Sequence, residues 1–277
     1  MTRKRTNTQM FALSGRPPGT LDVGGGRYRL VRVFKHDFYA ATCLYERLGG
    51  PAETLPRIVV KLYRTQPFFG LPMAWMGQFL RDHEEGIYAA LADVPGVPQW
   101  LGRVGRNGYA LEYIDGRPLD HVKRPPAGFF DALRAIFDAI HARGVCYCDG
   151  NKRSNILIRE DGAPFLIDYQ IAFRRRDDLP RPFRGIWRRV IEYFQRRDLY
   201  HLYKHKRRMA RDELTDEELR LSRGRGLLHT IHRGLTDPYR YLRRRLLGRQ
   251  YRKGALVSPT ADLEDHYQPE KATWRKA

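Results

Sequence analysis

Apolar and polar positions alternate in the first third of the chain and recur at helical spacing afterwards. Residues 28–34 alternate, with Tyr28, Leu30 and Arg32 on one face, which predicts a strand. Residues 38–45 are rich in aromatic and β-favouring side chains and predict a second strand, with Lys35-His36-Asp37 as the turn. Gly49-Gly50-Pro51 ends that hairpin, and residues 57–63 read as a third strand. Residues 71–91 change to a helical period, with Phe79, Ile87, Tyr88 and Leu91 as its apolar positions. Pro95-Gly96-Val97-Pro98 breaks it; residues 109–114 give a further short strand, and Asp115-Gly116-Arg117-Pro118 a turn.

Residues 129–142 predict a helix, because Phe130, Leu133, Ile136, Phe137 and Ile140 share one face and Gly144 follows as a terminator. Residues 156–158 and 164–167 are strand runs joined by the turn signal Glu160-Asp161-Gly162. Phe183, Ile186, Trp187, Val190, Ile191 and Phe194 form one apolar face flanked by arginines, read as packing on the helical part of the fold. Helix is expected to continue over 198–209 and to recur over 226–247. Residues 1–26, with Gly24-Gly25-Gly26, read as a flexible basic lead-in ending in a linker; residues 251–277 read as an extended tail. Strands come first and helices later, so the class is α+β: a small β-rich lobe over 27–114 and a larger helical lobe over 115–250.

Composition sets bounds on this picture. Of the 277 residues, 42% are hydrophobic and 30% charged, enough apolar material for a sizeable core and against a disordered chain. No apolar run approaches the ~18 residues a spanning helix needs, and the basic start is not followed by the apolar stretch of a secretory signal. Cys43, Cys146 and Cys148 form no even framework and have no zinc spacing, which fits reducing cytoplasm. The net charge is +20, and the part from Arg174 onward holds 28 of the 51 basic residues against 14 of the 31 acidic ones. Such a surface suits phosphate-rich partners, either nucleic acid or an anionic membrane surface, although solvated arginines are an equal reading.

Candidate chemistry gathers at the hairpin over 156–167. Its outer ends must meet, which places Asn155 beside Asp168. An amide oxygen and a carboxylate are hard ligands suited to Mg²⁺ with bound phosphates. Asp149, in the loop leading to the same end, is placed to accept a proton from a hydroxyl. Lys61 lies inside Ile58-Val59-Val60-Lys61-Leu62, where an unpaired amine is costly, and Glu84 on the next helix is its expected partner; spacing favours Glu84 over Glu85. His201 and His205 are four apart but lack a third ligand, so ordinary surface or core histidines are expected.

These residues resemble the protein-kinase-like fold. The resemblance implies ATP and Mg²⁺ bound between two lobes, Lys61 on the nucleotide phosphates and Glu84 holding it. Leu111-Glu112-Tyr113-Ile114 resembles the adenine-binding hinge, with Glu112 and Ile114 as its contacts. Tyr147-Cys148-Asp149 followed by Asn155 resembles the catalytic loop, and Asp168-Tyr169-Gln170 the metal-binding triplet. The departures are specific. The first hairpin turn lacks glycine, leaving Lys35 and nearby N–H groups for the phosphates. Tyr147-Cys148 replaces His-Arg, and the loop is one residue longer and carries Lys152, a candidate contact for the transferred phosphoryl group. Asp198 stands where an aspartate braces the catalytic loop in kinases. The set is similar to compact bacterial kinase-like proteins, among them lipopolysaccharide-core sugar kinases and RIO-type kinases.

The expected function is ATP-dependent phosphoryl transfer to a hydroxyl, foremost a protein serine or threonine. The alternatives are a glycolipid sugar hydroxyl at the inner membrane surface, or a non-catalytic module binding nucleic acid or anionic surfaces through its arginines.

Overall fold

A computed structural model describes residues 8–50, 54–223, 258–260 and 262–263. The chain divides into two compact units, one of residues 1–81, 101–113 and 225–277 and the other of 82–100 and 114–224.

The first unit is built on an antiparallel sheet of β1 (Thr20–Val23), β2 (Gly26–His36), β3 (Ala40–Gly49), β4 (Arg57–Tyr63), β5 (Trp100–Val104) and β6 (Gly108–Glu112), in the order β1-β2-β3-β4-β6-β5. Its core joins Tyr28, Val33, Cys43, Tyr45, Ile58, Val60 and Ala110, the inward positions of neighbouring strands. The strands at 28–34, 38–45, 57–63 and 109–114 are present, with shifted ends. The lead-in is not a flexible linker throughout: Thr20–Val23 pairs with residues 26–29, and Gly24 and Gly25 form the turn at φ 55° and 80°. Two successive positive φ angles are what a tight hairpin turn demands, and glycine meets them without strain.

The turn expected at Lys35-His36-Asp37 lies two residues later, over 37–39. β2 runs through His36, and Asp37 closes the turn by accepting the N–H groups of Tyr39 at 2.8 Å and Ala40 at 3.0 Å. The carboxylate substitutes for a backbone partner, which is how aspartate makes turns without glycine. Arg64 is fully buried and donates to the carbonyls of Gln9, Phe11, Phe38 and Pro67, tying the segment before β1 to the sheet. Ser258 and Thr260, within the expected extended tail, are instead a buried turn hydrogen-bonded to His36.

Helix α1 (Ala74–Ala90) follows β4. Ile87, Tyr88 and Leu91 are buried as its period predicts, but Phe79 is 64% exposed.

The second unit is mostly helical. Helix α2 (Phe129–Ala142) has the span its periodicity predicts and buries Phe129, Phe130, Leu133, Ile136, Phe137 and Ile140. Each such side chain contributes about 1.5–3 kcal/mol by leaving water. It packs against α3 (Arg181–Met209), which buries Ile191, Leu202 and Met209; α4 (Asp216–Leu221) follows, opened by a Thr215–Glu218 capping box. The apolar face of α3 is only partly used. Trp187 and Phe194 pack on Phe173, but Phe183 and Ile186 are 61% and 62% exposed. Three short pairings complete the unit: β7 (Gly116–Pro118) on β9 (Ile156–Arg159), β9 on β10 (Pro164–Leu166), and β8 (Val145–Cys146) on β11 (Phe173–Arg174). The turn expected over 115–118 is thus mainly an edge strand, where Pro118 is tolerated. The helix expected over 226–247 lies outside the described residues.

Candidate active site

Two short pairings aim one loop. β8 ends at Cys146 and β9 begins at Ile156, so residues 147–155 form a loop anchored at both ends. At the hairpin's open end Leu166 pairs with Ile156, and the Ile167 N–H donates to the Asn155 carbonyl at 3.0 Å. Asn155 and Asp168 are thereby neighbours across the hairpin mouth, as the strand pattern implies. Asp168 adopts φ 63° and Cys148 φ 66°, left-handed conformations that non-glycine residues hold only when their surroundings impose them.

The surroundings are visible. Buried Asp198 on α3 accepts the N–H groups of Tyr147 and Cys148, each at 2.8 Å, and lies 3.1 Å from the His141 ring. Burial pushes the Asp198 carboxyl above its usual range, opposed by His141 and the two N–H donors. Gln195 ties α3 to the carbonyls of His141 and Val145. His205 meets the Gly150 carbonyl at 2.8 Å, and its burial depresses the ring to about 4, so it is a neutral core histidine. The Tyr147 hydroxyl donates to the Ile167 carbonyl, and its ring packs edge-on to Tyr169, which packs on Tyr88 of α1. Two buried aromatic rings thus lock the loop to the segment around Asp168. Of these braces only Asp198 was legible, through the resemblance; nothing local in the sequence marks Gln195 or His205.

Asp149, 8% exposed, is held by its neighbours. Its Oδ2 accepts from Lys152 Nζ at 2.7 Å and from Asn155 Nδ2 at 2.8 Å. Desolvation raises its pKa, and nearby Asp168 adds to that, while Lys152 and Asn155 pull it down. A carboxylate only accepts, so Asn155 must present its NH₂ to Asp149 and turn its amide oxygen elsewhere. That oxygen and the Asp168 carboxylate are the donors Mg²⁺ would use. Two protein oxygens suit an ion that keeps waters and binds substrate phosphates. Among the described residues no three His, Cys, Asp or Glu side chains gather into a metal site of their own. Cys148 bonds to Cys146 at 3.6 Å, which with burial raises its thiol and makes it a poor nucleophile.

The remaining candidates fall in both units. Glu84 on α1 belongs to the second unit and is fully buried. There His83 meets the Ala172 carbonyl at 2.9 Å, so this stretch of α1 packs on the segment after Asp168. Ile114 is also in the second unit and buried. Lys61, 8% exposed, lies on β4 of the first unit. Its register partners are Thr42 and Tyr109, and Thr42 also pairs with Lys35, so Lys35 and Lys61 share one cross-strand row and one face of the sheet. Lys35 is paired with Asp37 at 2.8 Å. Glu112 ends β6 opposite Ile58. Beside it Tyr113 stacks at 6.4 Å on Phe34, with the Arg57 guanidinium 4.7 Å from its ring centre.

The chain is an α+β protein with an antiparallel sheet in one unit and a mostly helical second unit. Two solved structures of Rio2 kinase from Chaetomium thermophilum are similar to it. One, described as the ADP/Mg²⁺-phosphoaspartate complex, is 17% identical, with 71% of this chain and 58% of that chain covered and a TM-score of 0.49. The other is 18% identical, covering 69% and 58%, with a TM-score of 0.47. The chain thus spans 58% of the length of these neighbours. No protein-family model matches the sequence, and no curated protein matches it. No helix among the described residues is long and apolar enough to cross a membrane.

Proposed function

We propose that this protein is an ATP- and Mg²⁺-dependent phosphotransferase acting on a hydroxyl acceptor, foremost a protein serine or threonine. The observation that supports it best is the Asp149 carboxylate, held by Lys152 and Asn155 in a loop braced by buried Asp198. A scaffold has no physical need for a buried carboxylate fixed in that way, and burying it costs stability.

The roles follow from chemistry. Both bonds to Asp149 converge on Oδ2, so Oδ1 is assigned to the acceptor hydroxyl. It orients that hydroxyl and takes its proton as the oxygen attacks the γ-phosphorus and the bond to ADP breaks. The Lys152 ammonium keeps Asp149 ionised and lies where negative charge on the transferred group is stabilised. Lys61 and Lys35 are assigned to the nucleotide phosphates, Glu84 to supporting Lys61, and the segment around Glu112 and Ile114 to the adenine. Asn155 and Asp168 are assigned to hold Mg²⁺, which would neutralise phosphate charge when bound.

The test is the melting temperature with and without Mg²⁺-ATP, followed by transfer from γ-labelled ATP to a degenerate serine/threonine peptide library. A folded-state ligand raises stability by mass action. The expected result is a Mg²⁺-dependent rise that Asp168→Asn reduces, and label transfer that Asp149→Asn abolishes without removing the rise. No rise at millimolar ATP overturns the reading.

A further inference from the structure

A groove of about 330 Å³ lies on the second unit, between the strand-exit segment after β11 and the first two turns of α3. It is lined by Arg175, Asp177, Arg181, Arg184, Gly185 and Arg188: four guanidiniums, one carboxylate and a glycine that leaves the floor open. Arg181, Arg184 and Arg188 stand at i, i+3 and i+7, one stripe of a single helix face. Asp177 pairs with Arg175 at 3.2 Å and Glu192 with Arg188 at 3.4 Å, and Arg184 donates to the Leu179 carbonyl at 3.2 Å, yet the four guanidiniums still outnumber these two carboxylates. Asp178 is likewise paired with Arg176.

The arrangement runs against ordinary helix electrostatics. The first turn of α3 holds no acidic residue and no side-chain cap, yet carries Arg181 and Arg184 at the positive end of the helix dipole. Like charges at i,i+3 and i,i+4 add to that cost. An anion in the groove offsets both penalties, since the lining guanidiniums can donate to it. One groove residue is tied to the segment just before β8, the strand that leads into the catalytic loop. The Arg175 N–H donates to the Gly144 carbonyl at 2.7 Å, and Asp149 lies five residues beyond Gly144. Five residues span at most about 18 Å, the reach of a substrate whose hydroxyl is at Asp149.

We propose that this groove binds a phosphate ester and, resting on the phosphotransfer reading above, that the acceptor already carries one phosphate. A phosphate monoester is nearly dianionic at neutral pH and matches several guanidinium forks.

The test is calorimetric titration of the full chain with two pairs of probes, phosphoserine against serine and glucose 6-phosphate against glucose. Inorganic phosphate and a short RNA are added as further arms. The proposal expects one or both esters to bind and neither parent to do so. It expects Arg184→Gln with Arg188→Gln to weaken the ester about tenfold or more. Arg189→Gln with Arg196→Gln, elsewhere on the same helix, should leave it within about twofold. Equal binding of the parents, binding of inorganic phosphate alone, binding of RNA alone, or an equal loss in the control pair would each overturn it. The Mg²⁺-ATP melting shift on the same proteins separates the two claims. A shift kept by the groove variant supports the proposal. No shift in wild type, with ester binding intact, removes the acceptor role and the phosphotransfer reading while the groove assignment stands.

Discussion

The carboxylate of Asp198 accepts the backbone N–H of Cys148 at 2.8 Å, across fifty residues of sequence. Cys148 is held there at φ 66°, and the residue after it is Asp149. The left-handed turn that presents Asp149 is therefore held by a group on another helix. Asp198→Asn retains the shape but offers an NH₂ where an N–H needs an acceptor. It should lower stability by about 1–3 kcal/mol, read by chemical denaturation, and reduce turnover.

Asp149→Asn tests whether the site is built at a cost. The Asp149 pKa is raised, first by desolvation. The folded state then holds the proton more tightly than the unfolded chain, so stability falls as pH rises from the ordinary carboxylate value through the raised one. The variant should lose that slope, keep or gain melting temperature near neutrality, and lose about 10²–10⁴-fold in kcat, the usual worth of a general base. A strongly destabilised variant would mark Asp149 as a structural residue.

Lys152→Met removes the ammonium that lowers the Asp149 pKa. The acidic limb of the pH–rate profile should move to higher pH, with little change in stability because the lysine is 56% exposed. An unmoved limb would disconnect Lys152 from the base.

His205 carries a separate pH dependence. Its ring is depressed to about 4, so the unfolded chain binds the extra proton first as the solution is acidified. Wild type should lose up to about 3 kcal/mol as pH falls from about 6.5 toward 4. His205→Gln should flatten that window, measured by denaturation at a series of pH values.

Gly77→Ala reverses the usual helix rule. Alanine in a helix interior gains up to about 1 kcal/mol over glycine. Here a Cβ would lie 2.3 Å from the Arg64 carbonyl oxygen, inside the first unit. The substitution should lower the melting temperature, while Gly185→Ala on α3, with open space around it, should raise it slightly.

Much of this protein was legible because its signals are local. The period of Phe130, Leu133, Ile136, Phe137 and Ile140 specified α2 to the residue, and the strand–turn–strand pattern around Glu160-Asp161-Gly162 brought Asn155 to Asp168. Local patterns gave way where a side chain took over a backbone role. Asp37 closed a turn that lacks glycine, and paired glycines made a hairpin of a presumed linker. Periodicity shows that Phe79, Phe183 and Ile186 are apolar, not what covers them; they are exposed.

The sequence by itself determined the element order, the α+β class and the identity of the polar groups at the hairpin mouth, because spacing and residue type are properties of the chain alone. Only the tertiary structure decided how Asp149 is held, that His205 is a neutral core residue, and that four arginines face one groove. Those depend on which atoms meet across long stretches of sequence. A buried carboxylate takes whatever donors the packed helices bring to it, and neither Asp198 nor Gln195 carries in its own neighbourhood any sign of the loop it supports.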